Sequence, residues 1–285
     1  MKHTPRICAL ALAALLAPAT AVHAEGTVWL PAPGATSLTV ARISQEADDF
    51  WHIVDGQMAH TPFGPGLDQT STLFSGTYGI SDALALDAQF GWSEASNKDS
   101  NGPHPTLDGR VDTNVGVTWR FADELLGETP SMAVRFGVIL QGDYDTAYPT
   151  AIGDGADGFE LSGIVGKVFA DRVALSGEIG TRNRGSDVPR ETFVSLDAHL
   201  IASSMVVLSA EYHLQRSDGD RDIHGPGFTR FVLPFVAEEF DRISLGGTLS
   251  FDRFDVSLRW YDVTDGRNAA DYNAIAGAFT YHLGR

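Results

Sequence analysis

The chain has 285 residues, 43% of them hydrophobic, and a mean hydropathy of -0.06. This composition is too polar for a bundle of helices in lipid, but it suits a β-barrel whose interior and loops carry the polar residues. The formal net charge of -17 disfavours nucleic acid as a partner. After residue 24 no long apolar run of the length of a membrane-spanning helix occurs, so the sequence predicts no such helix.

The first residues have the pattern of a secretory leader. Lys2 and Arg6 precede an apolar run from Ile7 to Ala17, and Val22 to Ala24 offers small residues where a signal peptidase cuts. Residues 1–24 are therefore predicted to be a signal peptide that is cleaved near Ala24. The only cysteine, Cys8, lies in this leader, so the mature chain has no thiol chemistry.

Alternation of apolar and polar residues is the main structural signal from about residue 37 onward. It is clearest from Arg110 to Phe121, where two faces separate. One face carries Val111, Val115, Val117, Trp119 and Phe121, and the other carries Arg110, Asp112, Asn114, Thr118 and Arg120. A period of two predicts a β-strand, here with one face toward lipid and one toward water.

About twelve such segments follow one another, an even number that suits a closed antiparallel meander with both ends in the periplasm. They lie near 37–45, 69–80, 83–96, 109–121, 132–141, 159–169, 173–182, 191–201, 205–216, 240–251, 254–262 and 273–283. Connections on one side are short, apart from 122–131, where residues 123–126 are predicted to form one helical turn. Connections on the other side are longer and rich in Gly, Pro and Asp: 46–68, 97–108, 142–158, 183–190, 217–239 and 263–272. The predicted fold is all-β, a transmembrane antiparallel β-barrel over residues 37–285.

Aromatic residues on the apolar face cluster near strand ends, as interfacial girdles do. Near the predicted periplasmic rim these are Tyr78, Trp119, Phe121, Phe169, Phe251, Phe254 and Tyr281, and near the outer rim they are Phe90, Trp92 and Trp260. A soluble β-sandwich is the alternative, because it shows the same alternation with its apolar face turned inward. The leader and the paired loop lengths favour the membrane barrel.

Two segments resemble a known family of outer-membrane transporters. Tyr78 to Leu86 reads Tyr-Gly, a Ser-Asp turn and a restarted alternation of Leu, and Gly26 to Gly34 is similar to that family's opening before its first strand. The family is named for the meta-pathway of phenol degradation. The resemblance implies uptake of hydrophobic or aromatic small molecules. The chain departs from the usual outer-membrane ending, since Gly284 and Arg285 stand where a terminal aromatic is expected.

Continuing the alternation inward gives a set of candidate lumen residues in which both charges are interspersed. They are Asp87, Arg110, Asp112, Arg120, Arg135, Glu178, Arg182, Phe193, Glu211, His213, Arg259 and Tyr261. These residues can form a polar constriction that selects solutes, or they can neutralise one another and fill the barrel. Counting across the tight turns places Glu160 opposite Arg182, Phe193 opposite His213 and Ser195 opposite Glu211.

An enzyme is the weaker expectation. A serine nucleophile needs an adjacent histidine base, and Ser195 and His199 lie too far apart along one strand, at ~13 Å. Asp222 and His224 are the nearest candidate for a protease-like couple. No cofactor or metal is predicted, because the Asp-rich run 218–222 is not followed by the Gly and Glu of a calcium loop.

The sequence therefore predicts a porin-like outer-membrane channel of a Gram-negative bacterium for small hydrophobic or aromatic molecules. The alternative is a barrel without transport, with an adhesive or structural role. Predicted partners are outer-membrane lipid, lipopolysaccharide, the barrel-assembly machinery and a small-molecule solute. Residues 25–36 form a separate segment in the periplasm or lumen. It holds Trp29 and Leu30, and we expect it to occlude the periplasmic mouth partly.

Overall fold

A computed structural model describes residues 26–99, 102–127 and 129–284. The predicted signal peptide therefore lies outside the described residues. Thirteen strand segments account for most of the described chain. They are β1 Thr36–Val54, β2 Gln57–Ser81, β3 Leu84–Asn97, β4 Leu107–Arg110, β5 Thr113–Ala122, β6 Ser131–Leu140, β7 Gly158–Phe169, β8 Val173–Arg184, β9 Glu191–Ile201, β10 Val206–Ser217, β11 Glu239–Ser250, β12 Phe254–Arg267 and β13 Ala269–Leu283.

These segments form a closed barrel of twelve strands. Each strand pairs antiparallel with its chain neighbours, and β13 returns to pair with β1. Segments β4 and β5 together make one barrel strand, because both pair with β3. The pairing shifts by one residue between Arg110 and Asn114, which is a β-bulge centred on Val111 and Asp112. The predicted fold class is confirmed.

The two faces of the wall are the reverse of those in a soluble protein. Apolar side chains such as Trp119 and Ile179 are 57% and 60% exposed on the outside, whereas Arg135 and Glu160 on the inside are 1% and 2% exposed. Apolar exposure around the whole wall is suited to lipid, and polar residues fill the interior. The soluble-sandwich alternative is therefore wrong. Among the described residues, no helix is long and apolar enough to cross a membrane.

The predicted aromatic belts lie on the exposed outer face. Trp119 packs against Phe121, and Phe254 stacks on both Phe251 and Phe279 close to the tight turns. On neighbouring strands, further from those turns, Phe90 stacks on Phe74 with ring centroids 5.5 Å apart. Rings at these levels suit the two interfaces of a bilayer.

The first and last predicted extracellular loops are wrong, because strands replace them. Most of 46–68 belongs to β1 and β2, which meet at a two-residue turn of Asp55 and Gly56 with φ of 51° and 80°. This is the Asp-Gly signal of a tight hairpin, and it lies in plain view in the sequence. Likewise, 263–272 is strand around a single turn residue, Asn268, with φ of 54°. The first hairpin extends as a tall wall beside the mouth.

The link 123–130 contains a turn and not the predicted helical turn. The amide of Leu125 donates to the Asp123 side chain at 2.9 Å, and the amide of Leu126 donates to the Asp123 carbonyl at 3.0 Å. An aspartate that bonds the backbone two residues on competes with helix formation. The outcome is a compact turn at the end of the barrel that carries the tight turns, the predicted periplasmic end.

Strand register is as predicted at one hairpin and different at another. Glu160 lies directly opposite Arg182 in β7 and β8, which confirms that pairing. In β9 and β10, Ser195 faces His213 where Glu211 was predicted, and Phe193 faces Gln215 where His213 was predicted. The turn closes later than predicted, because the Ser203 hydroxyl accepts from the amides of Met205 and Val206.

Candidate functional site: the barrel interior and its outer cavity

One wall of the barrel interior is an ion-pair network centred on Arg135. Its guanidinium donates to Asp87 at 2.6 Å and to Glu160 at 2.7 Å, and Asn114 accepts a further bond at 2.9 Å. Glu160 also accepts from Arg182 at 3.0 Å. The side chain of Arg135 is fully buried, whereas that of Arg182 is 25% exposed. Side chains thus fill the barrel interior around Arg135, whereas the Arg182 side chain remains partly exposed to the interior space.

Higher on the same wall, arginines are shared between two carboxylates each. Arg182 pairs with Glu191 at 2.9 Å in addition to Glu160. Arg184 pairs with Asp112 at the bulge and with Asp154 at 3.4 Å. Because carboxylates outnumber arginines here, this side of the interior has an excess of negative charge. Glu178, another predicted lumen residue, is buried in the same wall.

The remaining predicted residues of this side lie close to its ends. Arg110 donates to Thr113 at 3.0 Å near the outer mouth. Arg120 donates to the carbonyl of Asp82 at 2.7 Å and pairs with Asp123 at 2.8 Å at the periplasmic end. Both arginines therefore bond neighbouring parts of the barrel to one another.

The opposite wall carries a separate cluster around Glu211. That carboxylate accepts from Arg242 and from Arg259, each at 2.8 Å. The Arg242 guanidinium lies 5.2 Å from the ring centroid of Tyr261, and Tyr261 is buried. Here two arginines share one carboxylate, and Asp197 lies directly opposite Glu211 on the neighbouring strand.

Between the two walls, a stack of three rings that includes the predicted lumen residue His213 lines the interior. His213 is stacked between Phe193 and Phe240, with centroids 6.1 and 5.7 Å away. Its Nδ1 shares a hydrogen bond of 2.8 Å with the Ser195 hydroxyl. Ser195 is 1% exposed, so a solute in the barrel does not reach its oxygen. The Ser-His contact is therefore a buried polar pair in the wall.

Asp222 and His224, the nearest candidate in the sequence for a protease-like couple, are held by other partners. Asp222 accepts from Arg267 at 2.7 Å and from Asn268 at 2.9 Å, and His224 bonds His52 at 3.1 Å. Although burial opposes it, these donors lower the pKa of Asp222 below its usual value. Asp222 therefore holds the loop to the last hairpin.

The periplasmic end contains the segment that precedes β1. Val28, Trp29 and Leu30 are buried, and Val28 and Trp29 share a cluster with inward-facing residues of five strands, β6 to β10. The Trp29 ring meets His199 edge-on at 6.5 Å, and its Nε1 donates to Glu124 at 3.2 Å. The carbonyl of Val28 accepts from Arg120 at 3.4 Å. Contacts on several sides hold this segment across the barrel interior.

The outer end contains a cavity of about 600 Å³ enclosed by the loops and the tall first hairpin. Apolar groups make up much of its lining: Phe50, Pro103, Tyr148, Pro149, Ala151, Ile152, Val188, Pro189, Ile223, Phe228, Leu233, Pro234 and Val236. Phe50, Ile223 and Val236 pack together as one cluster. A smaller cavity of about 170 Å³ adjoins it, and both are lined by Phe50, Gln69, Pro149, Ala151 and Glu238.

Acidic residues line the larger cavity at three points: Asp154, Glu191 and Glu238. Burial, then the nearby Asp154 and Glu191 charges, raise the pKa of Glu238 to about 8. Burial likewise raises the pKa of Asp154 to about 6, with Glu191 adding to the shift and Arg184 opposing it. The Glu238 side chain is surrounded by protein but has free surface toward the cavity interior. The site is thus an apolar chamber with titratable acids in it.

One group of described residues has the composition of a metal site, although none was predicted. Asp49, His60 and Asp271 offer ligand atoms within 4.8 Å of one another. His60 already bonds Asp271 at 2.8 Å and stacks on Trp51, with centroids 4.4 Å apart. These contacts account for the position of the imidazole.

Sequence reasoning missed the outer cavity and two of its acids, Asp154 and Glu238. Asp154 and Glu238 lie in loops that have no periodicity, and Arg184 lies one alternation step beyond the predicted end of its strand. The predicted loop 46–68 includes Phe50, which lies in β1 in the structure. The Asp55-Gly56 turn signal predicts a hairpin there, with Phe50 in its first strand. For Asp154 and Glu238 the sequence carries no comparable signal.

The closed wall, the exposed apolar band and the polar interior define an outer-membrane β-barrel. No protein-family model matches the chain, and no curated sequence matches it. Solved structures do. An outer-membrane channel from Pseudomonas putida F1 superimposes with a TM-score of 0.70 at 13% identity, over 89% of this chain and 97% of that one.

Two further structures share the fold more distantly. The NanC porin has a TM-score of 0.54 at 7% identity, covering 86% of this chain and all of that one. The translocator domain of the autotransporter NalP from Neisseria meningitidis has a TM-score of 0.50 at 10% identity, covering 94% and 92% of the two chains. The superpositions show a common fold, and at sequence identities this low they show nothing beyond the fold.

Proposed function

We propose that this protein is a passive outer-membrane channel for small hydrophobic or aromatic molecules, and not an enzyme. The observation that carries the proposal is the 600 Å³ cavity at the outer mouth of a transmembrane barrel. Pockets of this size with mostly apolar walls and a few polar groups are typical binding sites for small molecules. A chamber that opens between the loops receives such solutes from the outside.

The interior supports a narrow route and opposes a wide pore. The buried charges around Arg135 and Glu160 are bonded to one another and occupy one side. The smaller cavity adjoins the larger one at Glu238 and extends along the wall past Ala95 and Tyr272. At the far end the Val28–Leu30 segment crosses the interior. Passage therefore requires a small solute and movement of that segment.

The fold neighbour in Pseudomonas putida is itself described as an outer-membrane channel, which supports the same role here. The Tyr78 to Leu86 and Gly26 to Gly34 motifs support membership of the phenol meta-pathway family. Export through a leader cleaved near Ala24, insertion by the barrel-assembly machinery and contact with lipopolysaccharide complete the proposal. In that setting the exposed loops face the extracellular side.

Crystals soaked with 4-bromophenol test the binding step, because anomalous scattering locates bromine directly. We expect a bromine peak in the cavity between Phe50 and Tyr148. Ala151→Trp fills space that both cavities share and should remove the peak. Ala202→Trp, on an exposed periplasmic turn, should leave it unchanged. Bromine only around the lipid-facing wall would contradict the proposal and leave the non-transporting, adhesive or structural role.

A further inference from the structure

The outer cavity combines aromatic walls with an acid that has no partner. Glu238 makes no hydrogen bond or ion pair with the residues that the structure describes, and it lies where the two cavities join. The other two acids of the cavity are paired, Glu191 with Arg182 and Asp154 with Arg184. Glu238 therefore supplies a carboxylate without an ion-pair partner at the junction of the two cavities.

Among the described residues, no guanidinium pairs directly with Glu238. Arg182 is shared by Glu160 and Glu191, and Arg184 is shared by Asp112 and Asp154. Each guanidinium thus pairs directly with two carboxylates and acts on Glu238 only through space, where it favours the ionised form. The wall beneath the cavity adds to the negative potential and attracts cations into it.

Aromatic residues at the mouth already bind cations within the protein. The guanidinium of Arg230, the one arginine that lines the larger cavity among the described residues, lies 4.7 Å from the ring centroid of Tyr148 and 4.9 Å from that of Phe231. An electron-rich ring face attracts a cation most strongly where water is excluded. Rings that hold an arginine can hold an organic cation in the same way.

From these contacts we propose that the outer cavity selects apolar or aromatic solutes that carry a positive charge, such as arylammonium compounds, with Glu238 as the carboxylate that pairs with the cation. The inference rests on the proposed channel function and names its substrate class. The apolar walls bind the body of the solute, and the charge is met at the junction through which the solute moves inward.

The charge at Glu238 accounts for selection, because a neutral solute of the same shape gains only the apolar contacts. An anion is repelled by the ionised form of Glu238 and by the carboxylate excess below it. Burial raises the pKa of Glu238, and a bound cation favours the ionised form, so binding of the cation is accompanied by loss of a proton to solvent.

Calorimetry on the purified, detergent-solubilised protein tests the inference with four probes: phenyltrimethylammonium, benzyl alcohol, benzoate and tetramethylammonium. We expect phenyltrimethylammonium to bind most tightly and benzoate least. Glu238→Gln should weaken phenyltrimethylammonium binding about tenfold, as loss of a charge-assisted contact does, and change benzyl alcohol binding less than twofold. Asp220→Asn removes one negative charge from the same loop at an exposed position that does not line the cavity, and it should change neither.

The outcomes separate the inference from the channel function. Equal binding of phenyltrimethylammonium and benzyl alcohol, with Glu238→Gln affecting both alike, would overturn the cation preference and leave the channel for aromatic solutes intact. An equal loss in Asp220→Asn would assign the effect to diffuse loop charge and also overturn the site. Tight binding of tetramethylammonium would show a simple cation site without aromatic selection. Binding of no probe would contradict both proposals.

Discussion

The indole nitrogen of Trp29 donates a hydrogen bond to Glu124 over 3.2 Å, and the second oxygen of Glu124 accepts from the amide of Val168 at 2.9 Å. One carboxylate in the long periplasmic link therefore joins the segment before β1 to the barrel wall. Trp29 is only 4% exposed, which places a large apolar ring inside the periplasmic end. A segment held this way obstructs the path to the periplasm.

Deleting residues 27–33 should therefore raise single-channel conductance in a planar bilayer, because the deletion removes Trp29 and Leu30 from the interior. Trp29→Ala should raise it by a smaller amount. Trp119→Ala is the matched control, since Trp119 is a lipid-facing tryptophan that is 57% exposed. A deletion variant that folds normally and conducts like the intact protein would show that the segment does not obstruct the barrel.

Charge on the two faces of the wall should have opposite consequences. Val115→Arg places a guanidinium in lipid and should cost roughly 2–4 kcal/mol of folding free energy if the site lies near the bilayer midplane. Gln89→Arg, on the inward face of the adjacent strand, should cost much less. Asn114 is the poorer control, because it accepts a bond from Arg135. Urea titration in liposomes measures the free energy of unfolding, and equal costs on the two faces would contradict the assigned orientation.

The pairing of Glu160 with Arg182 should show energetic coupling. A double-mutant cycle with Glu160→Gln and Arg182→Gln is expected to give a coupling of about 0.5–3 kcal/mol, because the carboxylate is buried. The exposed pair of Arg190 and Asp218, with side chains 58% and 52% exposed, should give about 0–1 kcal/mol in the same assay. Similar small values for both pairs would argue against the register of β7 and β8.

Binding of a cation in the outer cavity should depend on pH. Phenyltrimethylammonium has no titrating group, and Glu238 binds it as the carboxylate. Because the pKa of Glu238 is raised to about 8, affinity should rise as pH increases through 8 and level off above it. Asp154, with a pKa raised to about 6, contributes a further rise at lower pH. His104, His224, Glu191 and Arg230 also line the cavity, so Glu238→Gln is required to assign the rise near pH 8. A pH profile that Glu238→Gln does not alter would rule out this residue as the titrating group.

The transmembrane part of the fold could be predicted from the sequence because alternation reports directly which side chains face lipid. Hairpin register could be predicted where turn length was clear, as at Glu160 and Arg182. The predicted register of β9 and β10 is wrong, and Ser195 faces His213, because hydrogen bonds to the Ser203 side chain lengthen the turn. The outer cavity could not be predicted. It is built from loops such as 141–157, whose positions depend on contacts between segments far apart in sequence and not on any local period.

The most direct test of the channel function is uptake of N-phenyl-1-naphthylamine, an aromatic probe that fluoresces on reaching phospholipid, into liposomes with an outer leaflet of lipopolysaccharide. That leaflet slows entry of apolar solutes, so a channel is needed for rapid uptake. We predict that the intact protein accelerates uptake over empty liposomes, that Ala151→Trp slows it, and that deletion of residues 27–33 increases it. Uptake at the rate of empty liposomes for both the intact protein and the deletion variant, with both shown to be folded, would contradict the account.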